Sequence, residues 1–134
     1  MNKSVLVTGG GGYIGSTLVR HLLVKGFKVN VIDNCSMGSD GIMSFLGYPN
    51  YKFIKGDIKD FKKLSQTIKD YNIISVIHLA AYLNISEAEK KKRKYFVNNV
   101  GGTLNLLKAC KNSYELVNYL KNQPFCYLSK YRTC

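Results

Sequence analysis

Thr8-Gly9-Gly10-Gly11-Gly12-Tyr13-Ile14-Gly15 is the stretch of this chain best equipped for chemistry. Glycines let a backbone turn tightly and approach a pyrophosphate closely. The helix start that follows offers unpaired N–H groups and the positive end of its dipole. Glycine at 9, 12 and 15 serves in turn the tight bend, the phosphate approach and the close passage of helix over strand. Eighteen residues beyond Gly15 stands Asp33. A carboxylate there accepts hydrogen bonds from both hydroxyls of an adenosine ribose and repels a 2′-phosphate, and no arginine stands nearby to receive one. The pair is expected to hold NAD rather than NADP. Backbone N–H groups of Tyr13 and Ile14 would face the phosphates while their side chains pack beneath the cofactor and against the sheet. Asn34 and Ser36 join Asp33 around the adenosine, and Cys35 is only a neighbour. The competing reading is a glycine-rich turn in a protein that binds no nucleotide, with Asp33 capping a loop.

These residues need a strand before them, a helix after them and a second strand ending in the acid. Ser4–Thr8 reads as a buried parallel strand. Ile14, Leu18 and Leu22, with Val19 and Leu23 beside them, give a helix face that Gly26 is placed to end. Val29–Ile32 is the second strand, closing at Asp33. Residues 34–50 are irregular, and Tyr51–Ile54 is a third, shorter strand. Phe61, Leu64, Ile68 and Tyr71 recur at helical spacing behind a capping Asp60. Ile73–Leu79 is a fourth strand, and Val97, Val100, Leu104 and Leu107 mark another helix. Such βαβ repetition, with right-handed crossovers, dictates an α/β fold: a Rossmann-type doubly wound parallel sheet. About five strands are expected, in the order 3-2-1-4-5. The fifth would be Phe125–Ser129, in a tail over 111–134 that has no clean period.

Composition sets the outer limits. A chain of 134 residues allows one domain, and 46% hydrophobic with 21% charged residues suits a globular protein with a core. No apolar run reaches the roughly eighteen residues of a membrane span. The N-terminal apolar stretch is too short for a signal peptide, so a cytoplasmic location is expected. Lys and Arg exceed Asp and Glu by 20 to 8, a formal charge of +12. The excess is nearly all lysine spread among asparagines, so nucleic acid is an unfavoured partner and the run Lys90–Lys94 reads as a solvated helix face. The 4 cysteines and 2 histidines lack zinc-site spacing, and the cysteines are read as free thiols. No metal site is expected. His78, closing an apolar strand, is read as a structural histidine.

In order along the chain, the motifs resemble the N-terminal portion of an extended short-chain dehydrogenase/reductase of the NAD-dependent epimerase/dehydratase kind. Thr8, Gly9, Gly12 and Gly15 match T-G-x-x-G-x-x-G in its sugar-nucleotide epimerase wording. Gly56-Asp57-Ile58 resembles the G-D-[IL] that holds the adenine. His78-Leu79-Ala80-Ala81 resembles the H-L-A-A whose backbone lines the cofactor. Asn98-Asn99-Val100-Gly101-Gly102-Thr103 resembles the N-N-V-x-G-T whose second asparagine, here Asn99, supports the active site. The resemblance implies bound NAD and, in complete members, transient hydride transfer from a sugar ring on a nucleotide.

Family members carry a Tyr-x-x-x-Lys pair on the helix after the fifth strand, and a Ser or Thr ending that strand. The chain is expected to stop before that helix and before the substrate lobe. Tyr48-Pro49-Asn50-Tyr51-Lys52 spells the string, but with proline inside it cannot present a helical i,i+4 face. The expected division is an NAD-binding domain over 1–110 and a diverged or truncated tail over 111–134, with no catalytic residue assigned. A non-catalytic NAD-binding module acting with a protein partner is the alternative. An exposed apolar face and sheet edge are expected to cause self-association.

Overall fold

In the computed structural model, which describes residues 4–113, the β-branched runs form a parallel sheet in the order β3-β2-β1-β4. β1 (Ser4–Thr8) is buried along its whole length and pairs with β2 (Lys28–Asp33) on one side and β4 (Ser75–His78) on the other. Val7 lies opposite Val31 and Ile77. β3 (Tyr51–Lys55) closes the sheet beyond β2. The order agrees with the sequence reading for these strands. The expected fifth strand at 125–129 lies outside the described residues, as does most of the tail over 111–134.

Alternation along β1 and β2 divides the core between the two faces. Val5, Val7, Val29 and Val31 meet Val19 and Leu23 of α1 (Tyr13–Val24), with Phe45 beside them. Leu6 and Ile32 meet Leu64 and Ile68 of α3 (Phe61–Asp70), then Leu106 and Ala109 of α6 (Gly102–Lys111). Helices on both faces force each βαβ connection to cross the sheet.

The local signals act as their chemistry predicts. Asp60 caps α3 by accepting from the Lys63 N–H at 3.0 Å. Gly26, at φ +80°, ends α1, and the Phe27 N–H returns to the Leu22 carbonyl at 3.0 Å. Three expectations shift. The stretch 34–50 contains a short helix, α2 (Asp40–Met43), because Ile42 and Phe45 are buried there. Ile73 and Ile74 precede β4 rather than belong to it: the Ile73 N–H bonds the end of α3 at Ile68, and only from Ser75 does the parallel ladder run. On α1 the buried line is Gly15, Val19 and Leu23, while Ile14 is 65% exposed.

Between β4 and α6 the chain forms α4 (Ile85–Lys90), α5 (Lys92–Tyr95) and a π-helical turn over Phe96–Gly101. α6 buries Gly102, Leu106 and Ala109. The stripe Val97, Val100, Leu104 and Leu107, whose spacing signals the helix, stays 41 to 59% exposed.

Candidate functional site

The turn after β1 is built by what glycine lacks. Gly9 sits at φ +71°, and a Cβ there would stand 2.7 Å from the Ala80 nitrogen. A Cβ on Gly15 would overlap the Gly9 carbonyl oxygen and lie 2.8 Å from the Gly10 Cα. Between these tight points a Cβ on Gly12 would meet only the Gly9 carbonyl, at 3.4 Å. Gly12 begins α1 without a side-chain cap, and no acidic residue occupies the first turn. The N–H groups of Tyr13, Ile14 and Gly15 therefore have no intrahelical partner, which leaves a positive helix end beside open space.

Asp33 stands at the end of β2, facing that turn. Its Oδ2 accepts from the Gly11 N–H at 2.9 Å and its Oδ1 from the Cys35 N–H at 2.8 Å. Cys35 takes φ 61° to make the second contact. The carboxylate is thus aimed before any ligand arrives, with lone pairs left over on both oxygens. Asn34 joins it to the next loop: its Oδ1 accepts from the Ser36 N–H at 3.0 Å, and its Nδ2 donates to Asp57 Oδ2 at 3.0 Å. Burial would raise the Asp57 pKa. The Lys59 N–H, the Asn34 amide and the Lys59 ammonium outweigh it and hold the carboxyl below its usual value.

The far wall is the end of β4. Thr8 Oγ1 accepts from the amides of Leu79 and Ala80 at 3.2 and 3.3 Å, drawing that backbone against Gly9. Asn99 brackets Tyr82, accepting from its N–H at 2.9 Å and donating to its carbonyl at 3.0 Å. Asn98 Nδ2 donates to Asn99 Oδ1 at 3.0 Å.

Most sequence-predicted residues meet around one cleft at the carboxyl ends of β1, β2 and β4. Gly9, Gly12, Asp33, Asn34, Ser36, Asp57, Ile58, Leu79, Ala80 and Ala81 all line it. Four do not. Gly15 lies behind the turn, and Asn99 is turned to Tyr82. Tyr13 and Ile14 project into solvent, 93% and 65% exposed, and neither side chain joins the core packed against the sheet. Asn98, Tyr82 and Met37 line the cleft without having been picked from the sequence. Asn98 carries no sequence signal of its own: the π-helical turn over Phe96–Gly101 sets which of the two adjacent asparagines faces the cleft.

The remaining candidates fall outside. In the Tyr48–Lys52 string, Lys52 lies on β3 and Tyr51 donates to the Ile42 carbonyl at 3.3 Å. Burial, then Asp33 and Cys35, push the Tyr51 pKa up to about 12, the wrong direction for a base. From the lysine run, Lys91 and Lys94 grip Glu87 at 3.0 and 2.9 Å, and Tyr95 donates to it as well. Their hydrogen bonds, that of Lys94 foremost, hold the Glu87 carboxyl down to about 2. Among the described residues no helix is long and apolar enough to cross a membrane, and no His, Cys, Asp and Glu cluster could hold a metal.

Residues 6–125 match the family model described as GDP-mannose 4,6 dehydratase. The chain is 42% identical over 112 residues to the bifunctional protein GAL10 of Candida maltosa, covering 81% of this chain and 73% of that sequence. With the UDP-glucose 4-epimerase of Lactobacillus helveticus the identity is 41% over 109 residues, covering 81% of this chain and 32% of the relative. The UDP-glucose 4-epimerase of Brucella ovis, solved in complex with NAD, superposes with a TM-score of 0.73 at 39% identity, over 81% of this chain and 32% of that one. The chain thus spans about a third of the length of these two epimerases.

Proposed function

The chain belongs to the nucleotide-sugar epimerase/dehydratase family that the GDP-mannose 4,6-dehydratase model describes, and from that premise we propose that its cleft binds NAD. One observation carries the reading: Asp33 is clamped by the Gly11 and Cys35 N–H groups at the mouth of a glycine turn that opens an uncapped helix. The residues fit the group. The α1 N-terminus and Gly12 receive the pyrophosphate, Asp33 the adenosine diol, and Asp57 with Ile58 the adenine edge. Leu79–Ala81 and Asn98 border the remainder of the dinucleotide.

When bound, NAD supplies a hydride acceptor for a sugar ring carried on a nucleotide. The described residues bind, orient and shield it from water. Tyr51, inside the Tyr48–Lys52 string, is pushed away from the range of a base. Sugar oxidation, with epimerisation or dehydration to follow, is the activity proposed for the full-length protein. A cytoplasmic location belongs to the same reading. So does self-association through the exposed stripe of the π-helical turn and α6.

Thermal-shift titrations with NAD and NADP test the proposal. At a hundred times its dissociation constant a ligand stabilises by ~2.7 kcal/mol, which a melting curve reads easily. NAD is expected to raise the melting temperature and NADP to fall short of it. In Asp33→Asn the preference narrows by roughly 100-fold, because a charge pair about 5 Å apart at an effective dielectric of about 20 is worth ~3 kcal/mol. A cooperatively folded sample that ignores NAD defeats the reading.

A further inference from the structure

His78 ends β4 half-buried and lies outside the cleft lining, yet both ring nitrogens are engaged. The partners decide where its proton sits. Thr8 Oγ1 accepts the Ala80 N–H and shares the Leu79 N–H with the Thr8 carbonyl, so its own hydrogen goes to His78 Nδ1, 2.6 Å away. Thr103 Oγ1 donates to the Asn99 carbonyl at 2.5 Å and is left to accept from His78 Nε2–H at 3.0 Å. A neutral ring protonated on Nε2 satisfies every bond. The opposite tautomer sets hydrogen against hydrogen at Thr8 and lone pair against lone pair at Thr103, and the imidazolium loses the acceptor that Thr8 needs.

We propose that His78 is a positioning residue of the cofactor cleft. Through Thr8 it holds the Leu79–Ala80 backbone against Gly9. Through Thr103 it holds the turn that carries Asn98 and Asn99, and Asn99 in turn brackets Tyr82. Both ends of the segment 79–82, the far wall of the cleft, are thereby fastened to one imidazole. The proposal rests on the reading of that cleft as an NAD site. Threonine hydroxyls are the ring's hydrogen-bond partners, and burial lowers its pKa with no contribution from any charged or titratable side chain among the described residues. Protonation of this ring is therefore the event that loosens the wall on acidification.

Nitrogen-15 NMR of the histidine rings in the NAD-free chain gives the first readout, with His21→Gln separating the two signals. His78 is expected as the Nε2–H tautomer near neutral pH, and an Nδ1–H ring would overturn the proposal. Calorimetric NAD affinity between about pH 5 and pH 8 gives the second. In the unaltered chain affinity is expected to fall ~10-fold as pH drops through the His78 pKa, below 6.5, the weight of about one hydrogen bond. His78→Asn keeps an acceptor for Thr8 and is expected to bind within ~3-fold of the parent, without that pH dependence. His78→Phe keeps a ring and neither bond, and is expected to lose ~10-fold throughout. A pH-independent parent, or His78→Phe binding as the parent does, would sink the idea. If His78→Phe does not fold, the parent's pH profile decides. Should the parent bind no NAD, the cofactor reading fails separately, and the ring tautomer decides the positioning role.

Discussion

Gly15→Ala and Gly101→Ala change the same atoms at two helical positions, and the structure gives them opposite signs. A methyl on Gly15 overlaps the Gly9 carbonyl and crowds the Gly10 Cα, which are backbone atoms of a tight turn and cannot swing aside. Overpacking of this kind costs about 1–3 kcal/mol, with the upper half expected where backbone must move. Alanine's better helix propensity returns about 1 kcal/mol, so a net loss of about 1–2 kcal/mol remains. Gly101, at φ −61° and ψ −44°, has open space where its Cβ would be. There the propensity gain of up to about 1 kcal/mol stands alone. For a domain of this size each 1 kcal/mol moves the melting temperature by roughly 4 °C, so the two variants should melt on opposite sides of the parent. Gly15→Ala also pushes the Gly9–Gly12 turn away from the start of α1, and NAD affinity is expected to fall at least ~10-fold, while Gly101→Ala binds normally. Urea denaturation and calorimetry measure both quantities. If Gly15→Ala were as stable as Gly101→Ala and bound NAD equally well, the close passage of α1 over the turn would not be what glycine is there for.

Two further predictions concern charge and surface. Because the folded Asp57 carboxyl titrates below its ordinary 3.8, its stabilising contribution is whole above that pH and is lost as pH falls through the folded value. Asn34→Ala, which removes one of the bonds responsible, should move that loss to higher pH in acid denaturation, and an unchanged profile would refute the assignment. Leu104 and Leu107 are 51% and 59% exposed. The double change to glutamate should therefore leave the melting temperature within about 2 °C while shifting sedimentation toward monomer, and a collapse in stability would mean the stripe is core.

Legibility followed the range of the forces involved. The Asp60 cap could be read because it acts within three residues of itself, and the glycine turn with Asp33 because a strand, a glycine-rich turn, a helix and an acid ending the next strand follow in the order a phosphate site needs. The strands could be read because a parallel sheet covered on both faces demands unbroken β-branched runs. The buried side of α6 could not. Its sequence carries two apolar stripes, and the choice falls to Gly102, whose missing Cβ lets the helix press onto Ile58. The division of labour between Asn98 and Asn99 was hidden for a related reason: a π-helical turn breaks the 3.6-residue period on which the reading relied. Nor does sequence spacing announce the contact of Thr8 with His78, 70 residues apart.

That separation also sets a schedule for the ribosome. β3, β2 and β1 can pair once residue 55 has emerged, but the second edge of β1 stays open until His78 follows. At about 5–20 residues per second, the interval is roughly 1–5 s. Throughout it the nascent chain displays an unpaired strand edge running through Val5, Leu6 and Val7, an apolar template for pairing. Slow codons between residues 55 and 78 would lengthen that window, and a chaperone that shields apolar strands would find its longest opportunity there.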